Sequence, residues 1–219
     1  MKKYLETLKT CPLFYNIEED NLLRMLTCLG AEIEKFDKKD TVFAEGSEAK
    51  NIGVLLTGEV ESVRYDYYGN KSIINKVTSP EVFGEAFACA ESKSLPVSIV
   101  SVDRSDVMLI DCSHILHMCS NNCGFHHQLI YNLMKDLASK TVIFHQRIEV
   151  TSKRSTREKL LTYLGIVSQQ KKSNSFTISF NRQELADYLE VDRSGLSAEI
   201  SKMRKEGILE CNKNYFKLL

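Results

Sequence analysis

The residues best equipped for chemistry lie at 181–207. Asn181-Arg182-Gln183-Glu184 sets an N-cap residue three positions before a glutamate, the spacing of a capping box. A short helix follows, with Leu185, Ala186 and Leu189 as its inner side. Glu190-Val191-Asp192 is a turn, and Asp192 can cap the next helix through its side-chain oxygen. In that helix Leu196, Ile200 and Met203 fall at i, i+4 and i+7, and Gly207 ends it. Two short helices around a tight turn form a helix-turn-helix. Its outer side holds Arg193, Ser194, Ser197, Ser201 and Arg204, all short or hydrogen-bonding. A helix that enters the major groove needs short side chains for close approach. It also needs an arginine fork that matches guanine O6 and N7. Lys202 and Lys205 can flank phosphates. Arg182 and Gln183 stand at a helix start, where amide donors and a positive dipole end suit a phosphate. Ile208–Leu219 carries Asn212-Lys213-Asn214 between apolar runs, a hairpin suited to a wing. The alternative reading is a small helical subdomain with a polar face.

Other candidate groups are weaker. Cys119 and Cys123 are spaced for a metal or redox role but have no second cysteine pair, so two ordinary thiols are expected. Seven cysteines without secretory context suggest reduced thiols in the cytoplasm. The opening residues reach Glu6 and Lys9 before an apolar stretch forms, so no secretory signal is expected. No run approaches the ~18 apolar residues of a membrane span. Ser-His-Asp, GxGxxG, Walker A and HExxH patterns are all missing, so no enzyme is expected. No histidine lies between residues 30 and 111, which argues against a cupin-type metal enzyme.

The elements that must position these residues follow from composition and pattern. The chain has 219 residues, 43% hydrophobic and 26% charged, a globular mix that argues against disorder. Its zero net charge hides an asymmetry. Residues 1–150 hold 16 Lys/Arg against 21 Asp/Glu, and residues 151–219 hold 13 against 8. A basic final block suits a polyanion. A helix is expected around Leu22–Leu26. From about Glu32 to Asp111 short β-like runs are split by turn signals. They include Thr41–Phe43, Ile52–Leu56, Val60–Tyr68, Ile73–Val77, Val97–Val102 and Asp106–Ile110, and they predict a sandwich, barrel or jelly roll. From Gly124 to Val150, Ile130, Leu133, Leu137, Thr141, Phe144 and Ile148 recur at spacings of three and four. They predict one long amphipathic helix, packed on its own domain or serving as a dimerisation seam. A helix over Arg157–Val167, a loop over Gln169–Ser175 and a strand over Phe176–Phe180 complete the reading. The fold class is α+β: an N-terminal double-stranded β-helix or jelly roll over residues 1–123, a dimerisation helix over 124–150 and a winged helix-turn-helix over 151–219.

The segment Phe180–Ser194 strongly resembles the winged helix of the Crp/Fnr transcription regulators. The order of β-roll, long helix and winged helix also matches. Gly46, Gly58-Glu59, Gly69-Asn70 and Phe83-Gly84-Glu85 look like the roll's turn glycines and its Gly-Glu. The resemblance implies a cytoplasmic, bacterial, homodimeric regulator that binds a partly palindromic site on double-stranded DNA, with RNA polymerase as a further partner. It implies that Arg193 reads a base edge and that Arg182 and Gln183 contact phosphate. It also implies a small-molecule effector in a pocket near Phe83, Gly84, Glu85, Val97, Ser98, Lys140 and Thr141.

The effector stays open. In cAMP-binding members the Gly-Glu is followed by an Arg-Ser that holds the cyclic phosphate. Here that place reads Leu95-Pro96-Val97-Ser98, so a cyclic phosphate would lack its guanidinium partner and cAMP is not expected. Fnr-type members carry an N-terminal cysteine cluster, but this N-terminus offers only Cys11 and Cys28. Leu95–Val100 and Asp192-Arg193-Ser194 look like the clade of nitrosative-stress (hybrid cluster protein) regulators, some of which sense nitric oxide with haem. The axial groups available for haem would be His126, His127, His145 or Met108. A regulator with no small-molecule effector is the other alternative.

Overall fold

The computed structural model describes residues 1–65, 67–68, 71–117 and 125–219. They divide into two compact units, Met1–Ala138 and Ser139–Leu219. Gly69-Asn70, Cys119, Cys123 and the expected helix start at Gly124 lie outside the described residues.

In the first unit, helices α1 (Leu5–Thr10) and α2 (Glu19–Cys28) precede the strands β1 (Glu32–Phe36), β2 (Thr41–Phe43), β3 (Asn51–Thr57) and β4 (Glu59–Tyr65). The strands β5 (Lys71–Thr78), β6 (Val82–Phe83), β7 (Ser98–Ser101) and β8 (Ser105–Asp111) follow, with α3 (Glu85–Cys89) between β6 and β7. Helix α4 (Cys112–Leu116) comes directly after β8. The strands form two antiparallel sheets, β1-β8-β3-β6 and β2-β7-β4-β5. Strand β1 pairs with β8, β2 with β7, β3 with β6 and β4 with β5. That is one long hairpin folded onto itself, the jelly roll expected from the sequence.

The near-continuous apolar run of β3 has a physical reason. Leu55 faces the roll interior with Val60, Val77, Phe83, Ile99 and Val107. Ile52, Val54 and Leu56 face a second core with Leu22, Leu26, Ile115, Leu129 and Leu133 from the helices. A strand buried on both sides loses the alternation of a half-solvated one. The β3–β4 turn requires Gly58. Its φ is +87°, and a Cβ there would lie 2.3 Å from Ser105 Oγ and 2.7 Å from the Arg104 carbonyl oxygen.

Helix α5 (His126–Thr151) begins in the first unit. Leu129 and Leu133 are buried there, and Asn132 Nδ2 donates to the carbonyls of Leu13 (3.0 Å) and Tyr15 (2.7 Å). The expected apolar face is covered only in part within this chain. Leu133 is in the core, joined by Leu129, which lies off that face, whereas Phe144 and Ile148 are 54% and 63% exposed. The row is buried within this chain only towards its start, and its later residues stand exposed.

The second unit holds α6 (Thr156–Lys171), β9 (Ser175–Thr177), α7 (Arg182–Leu189), α8 (Arg193–Lys205), β10 (Leu209–Asn212) and β11 (Tyr215–Leu218). Ser155 and Glu158 cap α6 reciprocally, and the helix runs past its expected end at Val167 to Lys171. It stops where Lys172 turns left-handed at φ +48°. The strand expected over Phe176–Phe180 is shorter, because its ladder with β11 ends at Thr177. Phe180 instead packs with Tyr163 and Tyr188 at ring distances of 6.0 and 5.1 Å. The core joins Leu160, Leu164, Phe176, Leu185, Leu196 and Phe216.

Candidate nucleic-acid interface

Local hydrogen bonds set the two helices at 182–205. Asn181 Oδ1 accepts from the amides of Gln183 (2.9 Å) and Glu184 (3.0 Å), and Glu184 Oε2 accepts from the Asn181 amide (2.7 Å). The capping box read from the sequence is therefore present. The chain reverses at Glu190, whose φ is +53°. Asp192 Oδ2 then accepts from Ser194 Oγ and from the Gly195 amide at 2.8 Å, which caps α8. The Ser194 hydroxyl, followed by the Gly195 amide, holds the Asp192 carboxyl below the usual carboxylate range. Leu196, Ile200 and Met203 seat α8 on the core. Arg157 of α6 grips its far side, with Nε 2.6 Å from Glu199 and Nη2 2.7 Å from Glu206.

The outer side of α8 is open. Arg193, Ser194, Ser201, Lys202, Arg204 and Lys205 are exposed, and Ser197 is half-buried. Ser197 Oγ donates to the Arg193 carbonyl and Ser201 Oγ to the Ser197 carbonyl, both at 2.9 Å. Each hydroxyl proton is thus committed while its lone pairs remain, which suits an acceptor for a cytosine or adenine amino group. Ala198 is exposed in the same row, four residues after Ser194 and three before Ser201. Sequence reasoning passed over it because alanine carries no polar atom, but its methyl suits the thymine methyl.

The structure separates Arg182 and Gln183 from that row. Arg182 Nη2 donates to the Lys213 carbonyl at 3.1 Å, and its guanidinium lies 5.7 Å from the Phe216 ring centre, so it braces α7 against the wing. Gln183 Nε2 donates to Asp187 Oδ1 at 2.8 Å. The wing itself is β10–β11, which turns at Lys213-Asn214. Between wing and α8 runs a groove of about 830 Å³, lined by Ser201, Arg204 and Lys205 on one side and Asn212 and Tyr215 on the other. Tyr215 was not singled out from the sequence, where it reads as an ordinary strand residue.

Both units have known counterparts. Residues 33–122 match the cyclic nucleotide-binding domain, and residues 158–219 match the Crp-like helix-turn-helix domain. Residues 158–219 are a Crp-like helix-turn-helix domain. A helix-turn-helix of this kind is a DNA-binding module. Solved structures agree in fold. The catabolite activator protein of Thermus thermophilus aligns with TM-score 0.55 and 17% identity over 95% of this chain and 93% of that one. The c-di-GMP responsive regulator CLP of Xanthomonas campestris aligns at 0.57 and 14% over 92% and 99%. DNR from Pseudomonas aeruginosa aligns at 0.52 and 19% over 100% and 95%. Human cGMP-dependent protein kinase 2 is 29% identical over 85 residues, 38% of this chain but 11% of the kinase, so the chain spans a small part of that relative.

The residues expected to hold an effector are placed as follows. Phe83 is buried in the roll interior, its ring 5.5 Å from that of Phe43. Gly84 turns left-handed at φ +77° to start α3, and Glu85 is 5% exposed. Val97 is buried, and Ser98 Oγ accepts from the Glu45 amide at 3.0 Å. A cavity of about 40 Å³ lies beside Phe43, Asn51, Gly84 and Leu95. Lys140 and Thr141 belong to the second unit. The haem candidates have different surroundings. Met108 is fully buried in the core and His126 is bonded through Nε2 to the Ile115 carbonyl at 2.7 Å. His127 and His145 are exposed and fall in different units.

Proposed function

We propose that this chain is an effector-responsive regulator that binds a partly palindromic DNA site as a homodimer. The observation that carries the reading is the outer row of α8, where Arg193, Ser194, Ser197, Ala198 and Ser201 stand clear of the core beside a wing groove. Arg193 and the serines serve as base readers. Lys202, Arg204 and Lys205 sit against the phosphates, and the starts of α7 and α8 offer amides to the backbone. Arg182 takes a phosphate through its backbone amide at the start of α7 while its side chain holds the wing, and Gln183, whose amide is held by Asn181 Oδ1, lies beside that contact.

Homodimerisation is supported by α5. Tyr131, Met134, Ala138, Thr141, His145 and Ile148 are all exposed and alternate at spacings of three and four. That is a coiled-coil period, which a second copy of the helix would cover. This division makes residues 1–123 the sensing roll, 124–150 the dimer helix and 151–219 the reader. A cytoplasmic location and a contact with RNA polymerase complete the proposal, as does kinship with nitrosative-stress regulators, which rests on Leu95–Val100 and Asp192–Ser194.

The effector proposed is not cAMP. Leu95, at the place expected for a phosphate-binding arginine, is 4% exposed, so a cyclic phosphate there would meet hydrocarbon. An effector at Gly84 and Glu85 acts by preferring one arrangement of the dimer, and only to the extent of its differential affinity. Sedimentation of the full chain with a duplex carrying its target site tests the reading. Two chains per duplex, with complex formation unchanged by cAMP, are expected. One chain per duplex, or a cAMP-dependent shift in affinity, would overturn the corresponding part.

A further inference from the structure

Cys89 ends α3 and Cys112 begins α4, and their sulfurs lie 3.6 Å apart. This is contact between two thiols on separate elements, 23 residues apart in the chain. Cys112 is 3% exposed and packs in the helical core, while Cys89 is only partly covered. One sulfur is thus reachable from solvent and the other waits behind it. A disulfide needs the sulfurs to close to about 2.05 Å, an approach within reach of side-chain rotation and a small shift of the five-residue α3.

We propose that Cys89 and Cys112 are an oxidation site, where a hydroperoxide converts the pair into a reversible disulfide that ties α3 to the start of α4. The Cys89 thiolate attacks a peroxide oxygen, the O–O bond breaks, and a sulfenic acid forms as hydroxide or an alkoxide leaves and takes a proton from water. Cys112 sulfur then attacks Cys89 sulfur. The S–O bond breaks, and the departing hydroxide takes the Cys112 proton and leaves as water. The pair loses two electrons, and the peroxide gains them. The assignment of roles agrees with the local electrostatics. The Cys112 thiol beside it lowers the Cys89 pKa, against the opposing effects of burial and Glu85, whereas Cys112 is pushed up by Cys89 and by burial. Helix α3 begins at Gly84-Glu85, so the bond would fix the segment assigned to the effector. That consequence rests on the reading of the roll given above, but the bond itself does not.

The test uses the full chain, reduced and then treated with hydrogen peroxide. Trypsin places Cys89 in residues 77–93 and Cys112 in residues 105–135, together with Cys119 and Cys123. A cross-link between these two peptides is expected, reversed by dithiothreitol, kept in a Cys119→Ser/Cys123→Ser variant and lost in Cys112→Ser. Amide exchange over residues 85–89 should slow by about tenfold in the oxidised protein. Sulfinic acid at Cys89 without a cross-link would overturn the proposal, and so would a cross-link that survives Cys112→Ser. Unchanged exchange over 85–89 would overturn the claim that the bond restrains α3.

Discussion

At the residue scale, the proposed division between base readers and phosphate holders on α8 makes the sharpest prediction. Replacing Arg193 by Ala should cost about 1–3 kcal/mol and relax selectivity at one base pair. Replacing Lys205 by Ala should weaken all sequences alike and reduce the slope of log affinity against log salt by about one. Anisotropy titrations on matched and single-substitution duplexes distinguish the two, and a uniform loss for Arg193→Ala would make it a phosphate contact. A second prediction concerns Tyr163, whose phenol is pushed up to about 12 by burial and by the neighbouring Tyr188. The unfolded chain releases this proton near pH 10, about the ordinary tyrosine value, while the folded one keeps it. Stability therefore falls as pH rises from about 10 towards 12. Tyr163→Phe should flatten that part of the alkaline melting profile, and an unaltered profile would show that the phenol stays in water.

At the element scale, caps and core contacts decide whether α8 is presented at all. Asn181→Ala removes both acceptor bonds at the start of α7 and should cost about 1 kcal/mol in the melting of the second unit. Leu196→Ala, at a fully buried position, should cost about 2–5 kcal/mol. The capped helices and the wing were legible in the sequence because Asn181, Glu184, Asp192 and Gly207 act through their immediate neighbours. Helices α1, α3 and α4, of five or six residues, were not, because so short a segment shows no period. The end of α6 was misplaced because Gln169, Gln170 and Lys171 are as compatible with an exposed helical turn as with a loop. The role of Arg182 was also hidden, since its partners at Lys213 and Phe216 lie about thirty residues on and meet it only through the fold. For the roll, the turn at Gly58 was visible, whereas the packing of Phe83 on Phe43 depends on strands far apart in the chain.

At the scale of the whole molecule, the proposed homodimer and its reader must agree in symmetry. A glutamate at Ile148, at the C-terminal end of the exposed α5 row, should shift the full chain to monomer in sedimentation while leaving its far-UV circular dichroism unchanged. A dimer that persists with Ile148→Glu would place the contact elsewhere. Because each copy carries one α8, a symmetric pair reads two half-sites whose centres lie about one helical turn, 34–36 Å, apart. The most direct measurement is selection of binding sites by the full chain from a pool of random duplexes. The account predicts enrichment of one inverted repeat with half-sites a turn apart, and loss of preference at one position of each half-site for Arg193→Ala. A pool that stays random through successive rounds, or that enriches a single unrepeated site, would contradict it.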